Sequence, residues 1–156
     1  MEQVAEIARL LGRAGQSLAC AESCTGGLIA ARLTDLAGIS AVFRGGVVAY
    51  ANEVKRLCLG VDEAILATEG AVSASCAAAM AEGVRERLKS DWGVATTGIA
   101  GPSGATPGKP VGLVFIAVAG VHGTVVERLL LDGDRAAIRD QAATRALALL
   151  LERLKD

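Results

Sequence analysis

The segment at 21–27, which reads Ala-Glu-Ser-Cys-Thr-Gly-Gly, places a hydroxyl, a thiol and two adjacent glycines in one short stretch. A short apolar run precedes it and a stretch of helical composition follows, so we expect a strand-to-helix turn. Such a turn presents unpaired backbone N–H groups at a helix N-terminus, and Gly26 and Gly27 allow a ligand to approach the backbone. The segment is therefore a candidate site for an anion or a developing oxyanion. The alternative is that Ser23 or Thr25 only caps the helix.

Ser23 could be the nucleophile of an acyl-transfer reaction, provided that a nearby base accepts its proton. His122 is the only histidine and is expected at a solvent-facing hairpin tip, so a Ser-His-acid triad is not expected. A lysine could then serve as the base, because Ser-Lys pairs replace the triad in some hydrolases. It would have to be neutral, which burial or a nearby positive charge achieves by lowering its pKa. Taken alone, Lys55 would be interpreted as a solvated helix lysine.

The cysteines and the single histidine do not form a metal-binding pattern. Zinc-type spacing is absent among Cys20, Cys24, Cys58 and Cys76, so neither a metal nor a cofactor is expected. Most of these cysteines should be buried reduced thiols. Cys24 is the exception because it lies beside Ser23 and carries the intrinsically better nucleophile. Adjacent side chains on a turn point in different directions, and we expect Ser23 rather than Cys24 to attack.

A second glycine-rich stretch, at 97–110, holds all three prolines and four glycines. It lies between apolar runs of one core, so we interpret it as an ordered, ligand-facing loop rather than a flexible linker. Thr97, Gly98 and Gly101 are candidate binding residues because ligands bind α/β sheets beyond the strand ends. Their backbone and hydroxyl groups could donate to a phosphate or an amide; a plain turn is the alternative.

A sheet must position these two segments, and the hydrophobic pattern predicts one. Strands are expected at 17–21, 42–50, 92–96, 111–119 and 124–131, the last two as an antiparallel hairpin. Helices are expected at 1–15, 28–38, 51–60, 61–70, 73–88 and 134–154. This order predicts an α/β protein, a three-layer α/β/α sandwich with a mixed, mainly parallel sheet that ends in an antiparallel hairpin.

Length and composition indicate one domain, 1–156, with a sizeable core. The net charge is -1 and the basic residues are scattered, so a nucleic-acid partner is not expected and a small, anionic ligand fits better. The N-terminal segment has charged residues at helical spacing, unlike a signal peptide, and no apolar run has the length of a membrane span. We therefore expect a cytoplasmic protein without a membrane partner.

Several motifs in this order resemble those of the CinA C-terminal domain family, in particular the nicotinamide-nucleotide amidohydrolases of the PncC type. The longest are the segment at 21–27, Tyr-Ala-Asn-Glu-Val-Lys at 50–55 and Thr-Gly-Ile-Ala-Gly-Pro-Ser-Gly at 97–104. Shorter ones extend the resemblance over essentially the whole chain: Gly-Ala-Val-Ser at 70–73, Lys-Pro-Val-Gly at 109–112 and Gly-Asp-Arg at 133–135. The resemblance implies an α/β/α fold, homo-oligomers, and hydrolysis of nicotinamide mononucleotide to nicotinic acid mononucleotide and ammonia in pyridine nucleotide salvage.

Carried over by position, the resemblance implies that Ser23 is the nucleophile and Lys55 its partner, with Tyr50 and Thr97 at the site. The chain departs from the family at Ala105, where glycine is common, and at Ala51, where serine is common. Neither change removes a reactive group, so both bear on loop geometry only. Larger CinA proteins carry an additional N-terminal domain, which this chain is expected to lack.

Three positions keep alternative interpretations. Tyr50 could hydrogen-bond Lys55 or the substrate, unless its ring fills the core. Glu22 could orient Lys55 or ribose hydroxyls, or form an ion pair. Asp134 and Arg135 are interpreted as a helix cap and a surface charge. Two other functions also stay open: a non-catalytic nucleotide-binding or regulatory module, and an amidase for another small amide.

Overall fold

The computed structural model describes residues 1–156 as a five-stranded mixed sheet with helices on both faces. The strands are β1 (Leu18–Glu22), β2 (Phe43–Val48), β3 (Trp92–Gly98), β4 (Leu113–Gly120) and β5 (Gly123–Leu130). The helices are α1 (Glu2–Ala14), α2 (Leu28–Thr34), α3 (Asn52–Leu59), α4 (Glu63–Thr68), α5 (Ala74–Arg87) and α6 (Arg135–Lys155). A short 3-10 helix, Ile39–Ala41, precedes β2.

The strand order is β2-β1-β3-β4-β5. β1 pairs in parallel with β2 and β3, whereas β4 pairs antiparallel with both β3 and β5. Only β4 therefore runs against the other strands, and the predicted mixed, mainly parallel sheet with a final hairpin is confirmed. The carboxyl ends of β1, β2 and β3 meet at one edge of the sheet, which is where open α/β sheets bind ligands.

Two hydrophobic clusters separate the three layers. Alternate residues of β1 belong to different clusters: Leu18 and Cys20 pack with α1, α2 and α6, whereas Ala19 and Ala21 pack with α3 and α5. β1 is buried along its whole length, as expected of a strand covered on both faces. The α5 face is lined mostly by alanines, which allow that helix to lie close to the sheet.

α3 packs closely against α5 because residue 83 of α5 is a glycine. A Cβ atom at Gly83 would lie 1.9 Å from the carbonyl oxygen of Leu59, the last residue of α3. Any larger residue would force the two helices apart. This contact fixes the position of α3.

Two of the differences between the predicted and observed element boundaries have a cause in the backbone. α2 ends at Thr34 rather than near Gly38, whose φ of 84° instead begins the 3-10 helix. β4 begins at Leu113 rather than Val111, because Gly112 has a φ of 94° and its N–H donates to the carbonyl of Ile99. None of the helices has both the length and the apolar composition of a membrane span.

The sole tryptophan, Trp92, opens β3 at the edge of the sheet opposite the carboxyl ends of β1 and β2. Its indole Nε1 donates to the side-chain oxygen of Gln16 at 2.8 Å, and the ring is half-buried against the core. This end of the sheet is thus closed by packing.

Candidate active site

Ser23 begins the turn after β1 and is fixed by backbone hydrogen bonds on both sides. Its N–H donates to the carbonyl of Thr96 in β3 at 3.0 Å, and its carbonyl accepts from the N–H of Gly26 at 3.0 Å. Ser23 is 8% exposed. The hydroxyl is therefore held between the carboxyl ends of two neighbouring strands.

Glu22 lies beneath this turn and caps α2. Its carboxylate is fully buried and accepts hydrogen bonds from the N–H groups of Ile29 at 2.9 Å and Ala30 at 3.1 Å. The hydroxyl of Thr25 donates to the same carboxylate at 2.6 Å. The interpretation of Ser23 or Thr25 as the helix cap is therefore wrong, since Gly27 occupies the N-cap position and no side chain there accepts a cap bond.

Glu22 neither orients Lys55 nor forms an ion pair, contrary to the interpretations from the sequence. It forms neither a salt bridge nor a hydrogen bond with Lys55. The buried carboxylate is instead compensated by backbone amides at the positive end of a helix dipole. Its place in the site is to hold the turn and not to orient the base.

Lys55 projects from α3 to Ser23. Its Nζ lies 3.0 Å from Ser23 Oγ, 2.8 Å from the carbonyl oxygen of Ala49 and 3.0 Å from that of Tyr50. The residue is 1% exposed and has no carboxylate in salt-bridge contact. Burial lowers the pKa of Lys55 below its ordinary value, because the charged form loses its hydration.

Cys24 is adjacent to Ser23 but is buried differently. It is 4% exposed, and it belongs to the hydrophobic cluster beneath α2 and α6. Burial raises the pKa of the Cys24 thiol to about 11, so the thiolate is scarce near neutral pH. This environment is that of a structural thiol.

A cleft of about 350 Å³ opens above Ser23 and Lys55 at the carboxyl edge of the sheet. Its lining contains most of the residues that the sequence singled out: Ser23, Cys24, Tyr50, Lys55, Thr97, Gly98 and Gly101. It also contains Asn52, Ala71, Val72, Ile99, Ala100, Ser103, Gly104 and Arg135. One concave surface thus brings together residues of the three segments predicted from the sequence, which are distant along the chain.

Three of the predicted binding residues, Thr25, Gly26 and Gly27, do not line this cleft. The Thr25 side chain is fully buried, with its hydroxyl 2.7 Å from that of Thr96. Gly26 and Gly27 lie farther along the turn, where positive φ values of 57° and 110° carry the chain into α2. Glycine at these two positions allows the backbone conformation of the turn.

The loop after β3 forms the opposite wall of the cleft. Thr97 is 1% exposed and its hydroxyl donates to the carbonyl of Ala71 at 2.8 Å, which ties the strand end to the segment before α5. The N–H groups of Ala100, Gly101, Ser103 and Gly104 donate to no acceptor within the protein. These amides are available to a ligand.

Tyr50 and Arg135 meet at the rim of the cleft. The Tyr50 ring is 59% exposed, so the core-filling interpretation is wrong, and its hydroxyl accepts from Arg135 Nη2 at 3.1 Å. Lys55 contacts the backbone carbonyl of Tyr50 and not its hydroxyl. Arg135 Nη1 also donates to the carbonyl of Gly101 at 2.7 Å.

Arg135 is therefore not the simple surface charge that the sequence suggested. The predicted helix cap at Asp134 is correct, since its carboxylate accepts from the N–H of Ala137 at 2.9 Å. This cap makes Arg135 the first residue of α6 and aims that helix at the cleft. Arg139, one turn farther on, was also missed, although the spacing of four residues was a signal that the two share a helix face.

Arg139 contacts the turn itself. Its Nε donates to the carbonyl of Cys24 at 3.0 Å and its Nη2 to the carbonyl of Thr25 at 3.0 Å.

Nowhere in residues 1–156 do three potential metal-ligating side chains come together. The polar groups around Ser23 are thus a buried amine, backbone amides and two arginines.

The comparisons with known proteins agree with this architecture. The family model of the CinA C-terminal domain matches residues 1–154. A CinA-like protein of Frankia casuarinae is 56% identical over 141 residues, which is 90% of this chain and 32% of that protein. A putative competence-damage inducible protein of Halothermothrix orenii is 56% identical over 131 residues, 83% of this chain and 32% of that protein. The chain thus spans about a third of the length of these curated relatives.

Solved structures resemble the chain over nearly its whole length. The competence damage-inducible protein A of Klebsiella pneumoniae has a TM-score of 0.95 and 38% identity, covering 99% of this chain and 96% of that one. The three-layer arrangement described above is therefore that of solved relatives.

Proposed function

The chain belongs to the CinA C-terminal domain family, and from this membership we propose that it hydrolyses the carboxamide of nicotinamide mononucleotide to nicotinic acid mononucleotide and ammonia. The observation that carries the proposal is the 3.0 Å contact between Lys55 Nζ and Ser23 Oγ inside a cleft of small-molecule size. A nucleophile and a base within hydrogen-bonding distance are the core of serine hydrolysis.

The surroundings of Lys55 support its action as the base. A neutral amine has two N–H donors and one lone pair, and the carbonyls of Ala49 and Tyr50 can only accept hydrogen bonds. Both N–H groups are satisfied by these carbonyls, so the lone pair is left for the hydroxyl proton of Ser23. Because burial lowers the pKa of Lys55, the neutral form is more populated than in water.

The proposed reaction has two stages. Ser23 Oγ forms a bond to the amide carbon while its proton passes to Lys55, and the C–N bond then breaks as Lys55 returns that proton to the departing nitrogen, releasing ammonia. Water next attacks the Ser23 ester and gives a proton to Lys55. Cleavage of the ester frees the carboxylic acid, which ionises by losing its proton to solvent, and restores the Ser23 hydroxyl, which takes its proton from Lys55.

Recognition of the nucleotide is assigned to the opposite wall of the cleft. The unpaired amides at 100–104 and the guanidinium of Arg135 are donors suited to a phosphate group. The N–H of Cys24, just after the nucleophile, donates to no backbone carbonyl and is suited to the oxyanion of the tetrahedral intermediate.

Ammonia release from nicotinamide mononucleotide, measured on the purified protein, tests this function. We expect turnover that survives a chelator, and a loss of several orders of magnitude in kcat for Ser23→Ala. Cys24→Ala is the matched control and should keep most of the activity, because its thiol is protonated and packed in the core.

The other outcomes identify the alternatives. Binding of the nucleotide without ammonia release would indicate a non-catalytic nucleotide-binding module. Faster turnover of another small amide, ranked by kcat/KM, would keep the Ser-Lys chemistry and change the substrate. If Cys24→Ala were the inactive variant, the nucleophile would be the thiol.

A further inference from the structure

The guanidinium of Arg139 has no acidic partner and donates its hydrogen bonds to the turn after the nucleophile. None of the four salt bridges involves it. Its donors go to two successive carbonyls, those of Cys24 and Thr25, each at 3.0 Å. A half-buried cation that contacts only backbone carbonyls is placed to fix the orientation of those peptide groups.

The orientation of a carbonyl determines that of the N–H in the same peptide. A trans peptide is planar, so its C=O and N–H point in opposite directions. The Cys24 carbonyl shares its peptide with the Thr25 N–H, and the Ser23 carbonyl shares its peptide with the Cys24 N–H. Arg139 therefore orients the Thr25 N–H directly. Through the Thr25 carbonyl it also orients the Gly26 N–H, and the hydrogen bond from Gly26 to the Ser23 carbonyl fixes the Cys24 N–H.

Neither N–H group donates to a backbone carbonyl, and of the two residues Cys24 lines the cleft. Gly26 leaves room for the guanidinium, because a Cβ atom there would lie 3.2 Å from Arg139 Nη2. Backbone donors that stabilise an oxyanion must be held in place before the reaction to be effective.

We propose that Arg139 is a positioning residue that fixes the turn after Ser23 so that the N–H of Cys24, which lines the cleft, meets the oxyanion formed at Ser23. This inference rests on the proposed amide hydrolysis and adds a residue that acts without touching the substrate. It gives Arg135 and Arg139 different roles, because Arg135 contacts the cleft rim whereas Arg139 contacts the turn.

The test compares Arg139→Ala with Arg145→Ala, a control on the same helix whose arginine makes only a surface contact with Glu127. We expect Arg139→Ala to lower kcat about 100-fold with little change in KM, since a small displacement of reacting groups has effects of this size. Guanidinium ion at millimolar concentration should restore part of the rate, and sodium chloride at equal ionic strength should not. The control should match the wild type in kcat and in rescue.

A purely structural role would give a different pattern. An unchanged kcat, a loss confined to KM, or a loss that guanidinium does not relieve would overturn the proposal. If Arg139→Ala does not fold, Arg139→Lys keeps the charge and the stem but loses the two-pronged contact. We then expect a kcat at least several-fold below the wild type, and a wild-type kcat would equally overturn the proposal.

A second readout makes the result independent of the substrate. A fluorophosphonate reagent phosphonylates an activated serine and loses fluoride, and this step also needs oxyanion donors. If the wild type is labelled at Ser23 but releases no ammonia from nicotinamide mononucleotide, the substrate is wrong, and the labelling rate of Arg139→Ala relative to Arg145→Ala decides the role of Arg139. If neither turnover nor labelling occurs, both proposals fail.

Discussion

At the scale of single residues, the unusual feature is a fully buried lysine that lacks a counter-charge. The Lys55 amine faces two carbonyl oxygens and one hydroxyl, all neutral acceptors. A buried ammonium without an anionic partner is costly, and the group responds by favouring its neutral form. Ordinary folding gains would not select such a residue, so its chemistry is the simplest reason for its presence.

Replacement of Lys55 by arginine separates a base from a binding cation. Lys55→Arg should be nearly inactive, because a guanidinium does not release its proton in the working pH range. Lys55→Ala is the comparison variant and should lose kcat to a similar extent. A cation that only anchored phosphate would be replaced in part by arginine, with the change mainly in KM, and retention of most of the wild-type kcat in Lys55→Arg would contradict the mechanism.

The lowered pKa of Lys55 also predicts how stability changes with pH. Between that lowered pKa and the ordinary value of 10.5, the unfolded chain binds more protons than the folded one, so the folded state gains stability as pH rises. The free energy of unfolding of the wild type, minus that of Lys55→Met, should therefore increase by up to about 1.4 kcal/mol per pH unit in this window. Urea unfolding from neutral pH upward measures the difference, and a flat or falling difference would mean that the amine stays charged in the fold.

At the scale of elements, the site depends on how closely α3 approaches α5. The carbonyl of Leu59 at the end of α3 lies where a side chain at Gly83 would begin. Because Lys55 lies one turn earlier on α3, displacement of this helix moves the amine relative to Ser23.

Two helical glycines allow a matched experiment. Gly83→Ala should destabilise the protein by about 1–3 kcal/mol through overpacking and should also lower kcat. Gly12→Ala in α1, where a Cβ atom meets nothing within 4 Å, should instead add up to about 1 kcal/mol and leave kcat unchanged. Thermal unfolding and ammonia assays on both variants check this contrast. Equal effects would show that the α3–α5 contact accommodates an added methyl group without displacing α3.

The elements themselves could be predicted because each one has a local signal. Alternating or continuous apolar runs marked all five strands, and Asp134 marked the start of α6 as a cap that the structure contains. The Ser23–Lys55 contact spans 32 residues and depends on α3 packing, so spacing could not give it. The pairing of Ser23 with Lys55 was predicted only through the resemblance to the family.

The residues that were misread lacked a local signal. Glu22 is a charged residue that sequence rules would leave at the surface, and its burial follows from the position of the α2 N-terminus above it. The spacing of Arg135 and Arg139 shows that they share a face but not that this face meets the turn and the loop. Such roles are set by the orientation of α6 in three dimensions.

At the scale of the whole molecule, the two halves of the chain contribute differently to one edge of the sheet. The nucleophile and the base come from β1, α3 and the turn at 23–27, whereas the loop at 97–104 and Arg135 form the facing wall. The antiparallel turn into β4 is what returns this loop to the same edge. Reaction and recognition are thus carried by separate segments of the proposed enzyme.

The position of Trp92 lets its fluorescence report on global unfolding separately from binding in the cleft. It is the only tryptophan and lies at the start of β3, about 17 Å along the strand from Thr97 in the cleft wall. Its emission should therefore follow global unfolding in urea and stay unchanged when nicotinamide mononucleotide is added. A nucleotide-dependent spectral shift, excited where the single tyrosine does not absorb, would instead reveal a rearrangement transmitted along the full length of the central strand.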